Sequence, residues 1–81
     1  MMKSHLVKLF DSIVQVNEGN MENVSLKDGG FVINIFDRES TLDKEKINIT
    51  LKEVGIMNIK VEDIDYDVDE GIFVHCEWTS H

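Results

Sequence analysis

Apolar and polar positions along this chain change their period twice, and each change predicts a new element. After Ser4, a natural helix cap, Leu6, Leu9, Phe10 and Ile13 recur at helical spacing, with Lys3, Lys8, Asp11 and Gln15 mainly on the other side. The spacing predicts an amphipathic helix over about residues 4–17, closed by the "NEGN" turn that contains Gly19. One apolar stripe needs one packing partner, which the rest of the chain supplies as a sheet.

"NVSLKDGGFVINIF" alternates as strands do and is broken by Asp28-Gly29, a strong two-residue hairpin signal. Pairing Lys27 with Gly30 sets Leu26 opposite Phe31 and Val24 opposite Ile33, so that turn chemistry and hydrophobic phase agree. "KINITLK" is harder to read. Ile47, Ile49 and Leu51 alternate with Asn48, Thr50 and Lys52, and the β-branched residues favour a half-buried strand. The competitor is a helix from Ser40 to Val54, because "STLDKEK" resembles a helix start. In that case the chain becomes αββαββ, a permuted ferredoxin-like pattern. A short echo between "MENVSLKDGGFVINIFD" and "MNIKVED…DEGIFVHCEW" fits such a repeat.

In "VEDIDYDVDEGIFVHCEW", Ile64, Tyr66 and Val68 alternate with Asp63, Asp65, Asp67 and Asp69. Ile72, Val74, Cys76 and Trp78 then alternate with Phe73, His75 and Glu77. A loop of Asp69, Glu70 and Gly71, with Gly71 left-handed, would pair Val68 with Ile72, Tyr66 with Val74 and Ile64 with Cys76. On the other face Asp67 would meet Phe73, Asp65 would meet His75 and Asp63 would meet Glu77. The break in phase at Glu62-Asp63 predicts a bulge.

The expected fold is therefore α+β: one N-terminal helix on an antiparallel meander of four or five strands, forming one domain over residues 1–81. The helix is expected to cover Val24, Leu26, Phe31, Ile33, Ile35, Ile47, Ile49, Leu51, Tyr66, Val74 and Trp78. The opposite face would carry Asn34, Asn48, Thr50, Lys52, Asp65, Asp67, His75 and Glu77, with Val32, Phe36 and Phe73 among them. Tyr66 and Trp78 are expected to be largely buried.

Charge changes the picture more than composition does. The net charge is −8, but residues 1–60 hold eight Lys or Arg and nine acids, while residues 61–81 hold seven acids and no Lys or Arg. Such a field repels nucleic acid and anionic membranes and attracts basic surfaces. No stretch is apolar for long enough to span a bilayer, and the N-terminus lacks a signal peptide's apolar run. With Cys76 the only cysteine, a disulfide scaffold is excluded and a cytoplasmic setting is expected.

Candidate chemistry is sparse, and the reading is of a non-enzyme without a cofactor. A calcium loop starting at Asp65 would need Gly and Glu where Glu70 and Cys76 stand. Asp65, His75 and Glu77 share a face and could hold zinc or manganese, but a His–Asp cross-strand pair accounts for them as well. Cys76 and His75 point to opposite sides of one strand, a poor geometry for thiolate activation.

What remains is the acids themselves. The residues expected to bind a partner are Asp63, Asp65, Asp67, Asp69, Glu70, Phe73, His75 and Glu77. The expected function is an inhibitor or regulator that docks this hairpin on a basic protein surface, including one that normally holds nucleic acid. By analogy of type, small acidic chains of this kind include phage or mobile-element antagonists and immunity proteins. The rivals are a self-assembling homodimer through Phe73, Phe36 and Val32, and a metal-binding protein centred on His75.

Overall fold

A computed structural model describes residues 5–19, 24–35 and 42–79. Helix α1 (His5–Asn17) is followed by β1 (Val24–Lys27), β2 (Gly30–Ile35), α2 (Lys44–Glu53), β3 (Ile59–Asp67) and β4 (Gly71–Trp78). All four strands form one antiparallel sheet in the order β1-β2-β4-β3. Because β2 and β3 both run antiparallel to β4, they are parallel to each other, and α2 carries the chain from one to the other across β4. The α+β class and the N-terminal helix are as expected. The element order follows the αββαββ alternative.

The expected strand over "KINITLK" is a helix instead. Asp43 caps it, its carboxylate accepting from Glu45 N at 3.0 Å and Lys46 N at 3.3 Å. Ile47 and Leu51 lie one turn apart and are both buried, whereas Ile49 between them is 56% exposed. Ile49 thus made a four-residue spacing look like strand alternation. Asn48, Thr50 and Lys52, placed by the sequence on a sheet face, belong to this helix. A Schellman turn ends it: Ile56 N donates to Leu51 O at 2.9 Å and Gly55 N to Lys52 O at 3.1 Å.

The core lies between the helices and one sheet face. Leu9, Ile13 and Val16 of α1 and Ile47 and Leu51 of α2 meet Phe31, Ile33, Ile35, Ile59, Val61, Ile72, Val74 and Cys76, all buried. In β1 and β2 the register is the one the turn predicts, with Leu26 opposite Phe31 and Val24 opposite Ile33. Leu26 nevertheless remains 69% exposed, because β1 is an edge strand. Phe36 lies outside the described residues, as do Ser4 and Ser40.

Gly30 carries a constraint that the turn alone does not suggest. A Cβ at this position would fall 2.1 Å from the backbone oxygen of Cys76 on β4. Only glycine lets the two backbones approach so closely. The contact ties the first hairpin to the last strand, where Trp78 N also donates to Gly29 O at 3.0 Å.

Candidate partner-binding surface

The acidic stretch forms the β3–β4 hairpin, but its register differs from the expectation by two residues. Asp67 pairs with Gly71, Tyr66 with Ile72, Ile64 with Val74 and Asp63 with His75. Val68 is therefore not a partner of Ile72. It sits in the loop with Asp69 and Glu70 and is 86% exposed. The turn is built by Asp67, whose carboxylate accepts from Asp69 N at 2.8 Å and Glu70 N at 2.9 Å. These two donors, Glu70's the stronger, hold the Asp67 carboxyl below its ordinary value. Gly71 is left-handed, as expected.

A shift of two keeps every side chain on its expected face, so the outer face carries the predicted residues with new neighbours. The register breaks between Val61 and Asp63, the predicted bulge. Glu77 faces Lys60 rather than Asp63, with 3.9 Å between their charged atoms. The expected Asp63–Glu77 repulsion is therefore not formed. Glu62, at the bulge, meets Lys27 at 3.3 Å. Asp65 is directly opposite Phe73, yet its Oδ2 reaches His75 Nε2 at 2.8 Å. The His–Asp pair is present, formed diagonally rather than face to face.

Asp63, Asp65, Asp67, Asp69 and Glu70 are all exposed, while Phe73, His75 and Glu77 are half-buried. The side chains therefore divide. Glu62, Glu77 and Asp65 are partnered by Lys27, Lys60 and His75. Among the described residues, Asp63 accepts only from Ile64 N, at 2.9 Å, and Asp67 only from its own turn. Among the described residues, Asp69 and Glu70 have no cationic partner.

Tyr66 and Trp78 do not meet the expectation of burial, at 53% and 40% exposed. Tyr66 instead ties down the start of α2, its hydroxyl accepting from Leu42 N at 2.8 Å. Trp78 leans on Phe31 with ring centroids 5.1 Å apart. Both occupy the inner face, but at ends of the sheet where the helices do not cover it completely.

Sequence reasoning missed Asn48. Its Nδ2 donates to Val61 O at 3.0 Å and its Oδ1 accepts from Val61 N at 2.8 Å, as a neighbouring strand would. With the bulge beside it, this amide closes the middle of the β3 edge to sheet extension. An Asn on a helix, next to buried Ile47 and three residues before buried Leu51, was the one signal available.

Among the described residues no three His, Cys, Asp or Glu side chains come together as a metal site. Glu77 is held by Lys60, away from the Asp65–His75 pair. Burial pushes the Cys76 thiol up to about 12, against a smaller opposing pull from the Lys27 charge, which keeps it protonated and unreactive. No described helix is long and apolar enough to cross a membrane. Comparison with protein-family models, curated proteins and solved structures finds no match.

Proposed function

We propose that this chain is a non-enzymatic binding protein that presents the outer face and tip of its β3–β4 hairpin to a basic surface of another protein. The observation that supports this reading is the division of the acids. Asp63, Asp67, Asp69 and Glu70 stay exposed and without a cationic side chain among the described residues, while their neighbours are paired. Asp63, Asp65 and Asp67 occupy alternate positions on a strand, so their carboxylates repeat about every 7 Å along the hairpin. A groove that ordinarily takes nucleic-acid phosphates is the kind of basic surface such a row fits. Occupying that groove would make the chain its inhibitor or regulator.

The chemistry of docking follows from the geometry. Long-range attraction steers a basic partner toward the acidic end, and desolvation at contact strengthens each charge-assisted bond. Half-buried Phe73 and the exposed Val68 supply apolar contact within the same surface.

The test uses the full chain as bait in a lysate, beside an Asp63→Asn/Asp69→Asn/Glu70→Gln variant that spares the Asp67 turn. A partner retained by the native chain, released by salt and lost by the variant supports the reading. Equal retention by both at low and high salt would remove the acids from the binding surface.

A further inference from the structure

The end of the molecule opposite the acidic tip carries a groove of the other chemistry. Where α2 ends and β3 begins, Asn48, Lys52, Ile56, Met57, Ile59, Lys60 and Thr79 enclose a volume of about 420 Å³. The Schellman turn after α2 brings Ile56 to this groove, whose apolar lining is Ile56, Met57 and Ile59 and whose charged lining is Lys52 and Lys60. No acid lines it, although the chain as a whole carries −8. Lys52 has no anionic partner among the described residues, and Lys60 meets Glu77 only at 3.9 Å.

The backbone adds a donor and an acceptor. Val61 turns its N–H and C=O away from β4 toward Asn48. Before the bulge, strand residues two apart point the same way, so the N–H and C=O of Ile59 also point away from β4. Asn58 and Thr79 bear this out: Thr79 N donates to Asn58 O at 3.0 Å, marking the bonded positions on the β4 side. Asn48 has both amide atoms committed to Val61, and Thr79 Oγ1 donates to Met57 O at 2.7 Å. Among the described residues, the groove's unpartnered polar groups are therefore the Ile59 backbone and Lys52, while Lys60 is shared with Glu77.

We propose that this groove binds a short extended peptide segment that is apolar and carries a carboxylate, pairing with Ile59 as an added strand and placing its carboxylate between Lys52 and Lys60. Strand addition satisfies the Ile59 N–H and C=O, the apolar side chain covers Ile56 and Met57, and the charge selects acidic over basic segments. Asn48 limits the added strand to a few residues, because it already occupies the edge at Val61. The proposal does not depend on the acidic hairpin, which lies at the other end of β3.

The experiment titrates the acetylated, C-terminally amidated tripeptide Ac-Leu-Val-Asp-NH2 into the isotopically labelled full chain, followed by amide shifts and by hydrogen exchange. Ac-Leu-Val-Lys-NH2, which has no carboxylate, and decanoate are the comparison ligands. The expected result is saturable shifts at Met57, Ile59 and Lys60, slower exchange of the Ile59 amide, and no such response to the lysine peptide. Lys52→Glu should weaken binding about tenfold, the size of one charge-assisted contact, while Lys52→Arg retains it. Melting curves confirm that each variant is folded. Equal binding to Lys52→Glu would overturn the proposal. So would decanoate binding as tightly as the acidic peptide with no protection of the Ile59 amide, which would make the groove a site for apolar carboxylates instead.

Discussion

Both hairpins of the sheet turn on an aspartate and a glycine, yet they hold their register by different means. In β1–β2 a two-residue Asp28-Gly29 loop leaves one backbone solution, and Lys27 pairs with Gly30. In β3–β4 the loop has three residues, and a side chain selects the register: Asp67 folds back to accept the Asp69 and Glu70 amides. The first hairpin is also confined from outside, since its Gly30 lies against the β4 backbone. The second is confined at its edge, by Asn48 and the bulge. One is specified by backbone sterics and the other by polar side chains.

If that distinction is correct, Gly30→Ala is the most damaging single methyl that the sheet can receive. Its Cβ would meet the Cys76 carbonyl oxygen, which is held in the sheet and cannot give way as a flexible side chain would. The expected loss is about 3 kcal/mol or more, at the upper end for overpacking. A domain of this size has little more to lose, so the variant should melt at or near room temperature in a circular-dichroism scan. A wild-type melt would show that β2 can move away from β4, and the contrast between the hairpins would weaken.

The same distinction explains what could be read from the chain and what could not. The β1–β2 register was legible because a two-residue turn and hydrophobic phase independently select one pairing. For β3–β4, hydrophobic phase alone cannot separate registers that differ by two, because every residue keeps its face. The choice depended on the Asp67 turn, and aspartates at 63, 65, 67 and 69 all offered one. The α2 helix was obscured by Ile49, an exposed isoleucine that completes a false alternation with Ile47 and Leu51. Burial of Tyr66 and Trp78 was overstated because a face says nothing about how far the covering helices reach. On the surface itself, the outer-face residues were legible from alternation. The Asp65–His75 pair was legible too, but the lysine pairs were not: Lys27 comes from the distant strand β1, and Lys60 faces Glu77 only in the register observed.

Asn48→Leu tests the edge of the second hairpin. The leucine removes both bonds to Val61 and leaves its N–H and C=O without a partner at a part-buried site. The expected cost is about 2 kcal/mol, within the range for stranding buried polar groups. It should also expose the edge of β3, so light scattering should show more concentration-dependent association than the native chain gives. A variant that keeps its stability and stays monomeric would mean that the bulge alone protects the edge.

Cys76 reports on the joint between the two hairpins, because it pairs with Phe31 on one side and Val61 on the other. Its thiol is raised from 9.0 to about 12, since burial disfavours the thiolate. The folded state therefore binds this proton more tightly than the unfolded chain does. The resulting stability is complete below pH 9.0 and is lost progressively as pH rises toward about 12. Denaturant titrations should show an added decline approaching 1.4 kcal/mol per pH unit in that window. Cys76→Val, which has no proton to lose, should lack that added slope. The same alkaline slope in both proteins would place its origin in other groups.

The smallest effects concern the acids, and there the sign carries the information. Asp63 and Asp65 are two residues apart on one strand and share a face, but only Asp65 is bonded to an imidazole. Asp63 contributes a charge close to Asp65 and Glu62, and its bond to Ile64 N is of a kind that an amide oxygen can also accept. Asp63→Asn should therefore stabilise the isolated domain by a few tenths of a kcal/mol through relief of like-charge repulsion. Asp65→Asn relieves the same repulsion but gives up a charge-assisted bond, so it should be neutral or destabilising by a similar amount. Both differences should shrink in high salt, which screens exposed charges beyond roughly a Debye length of 10 Å at 0.1 M. Measured denaturation midpoints at low and high salt decide the matter. Opposite signs that converge with salt would identify Asp63 as a charge retained at a cost in stability, the property expected of a residue kept for docking. Equal signs would mean that His75 does not distinguish the two carboxylates, and the division of the stripe into partnered and unpartnered acids would not hold.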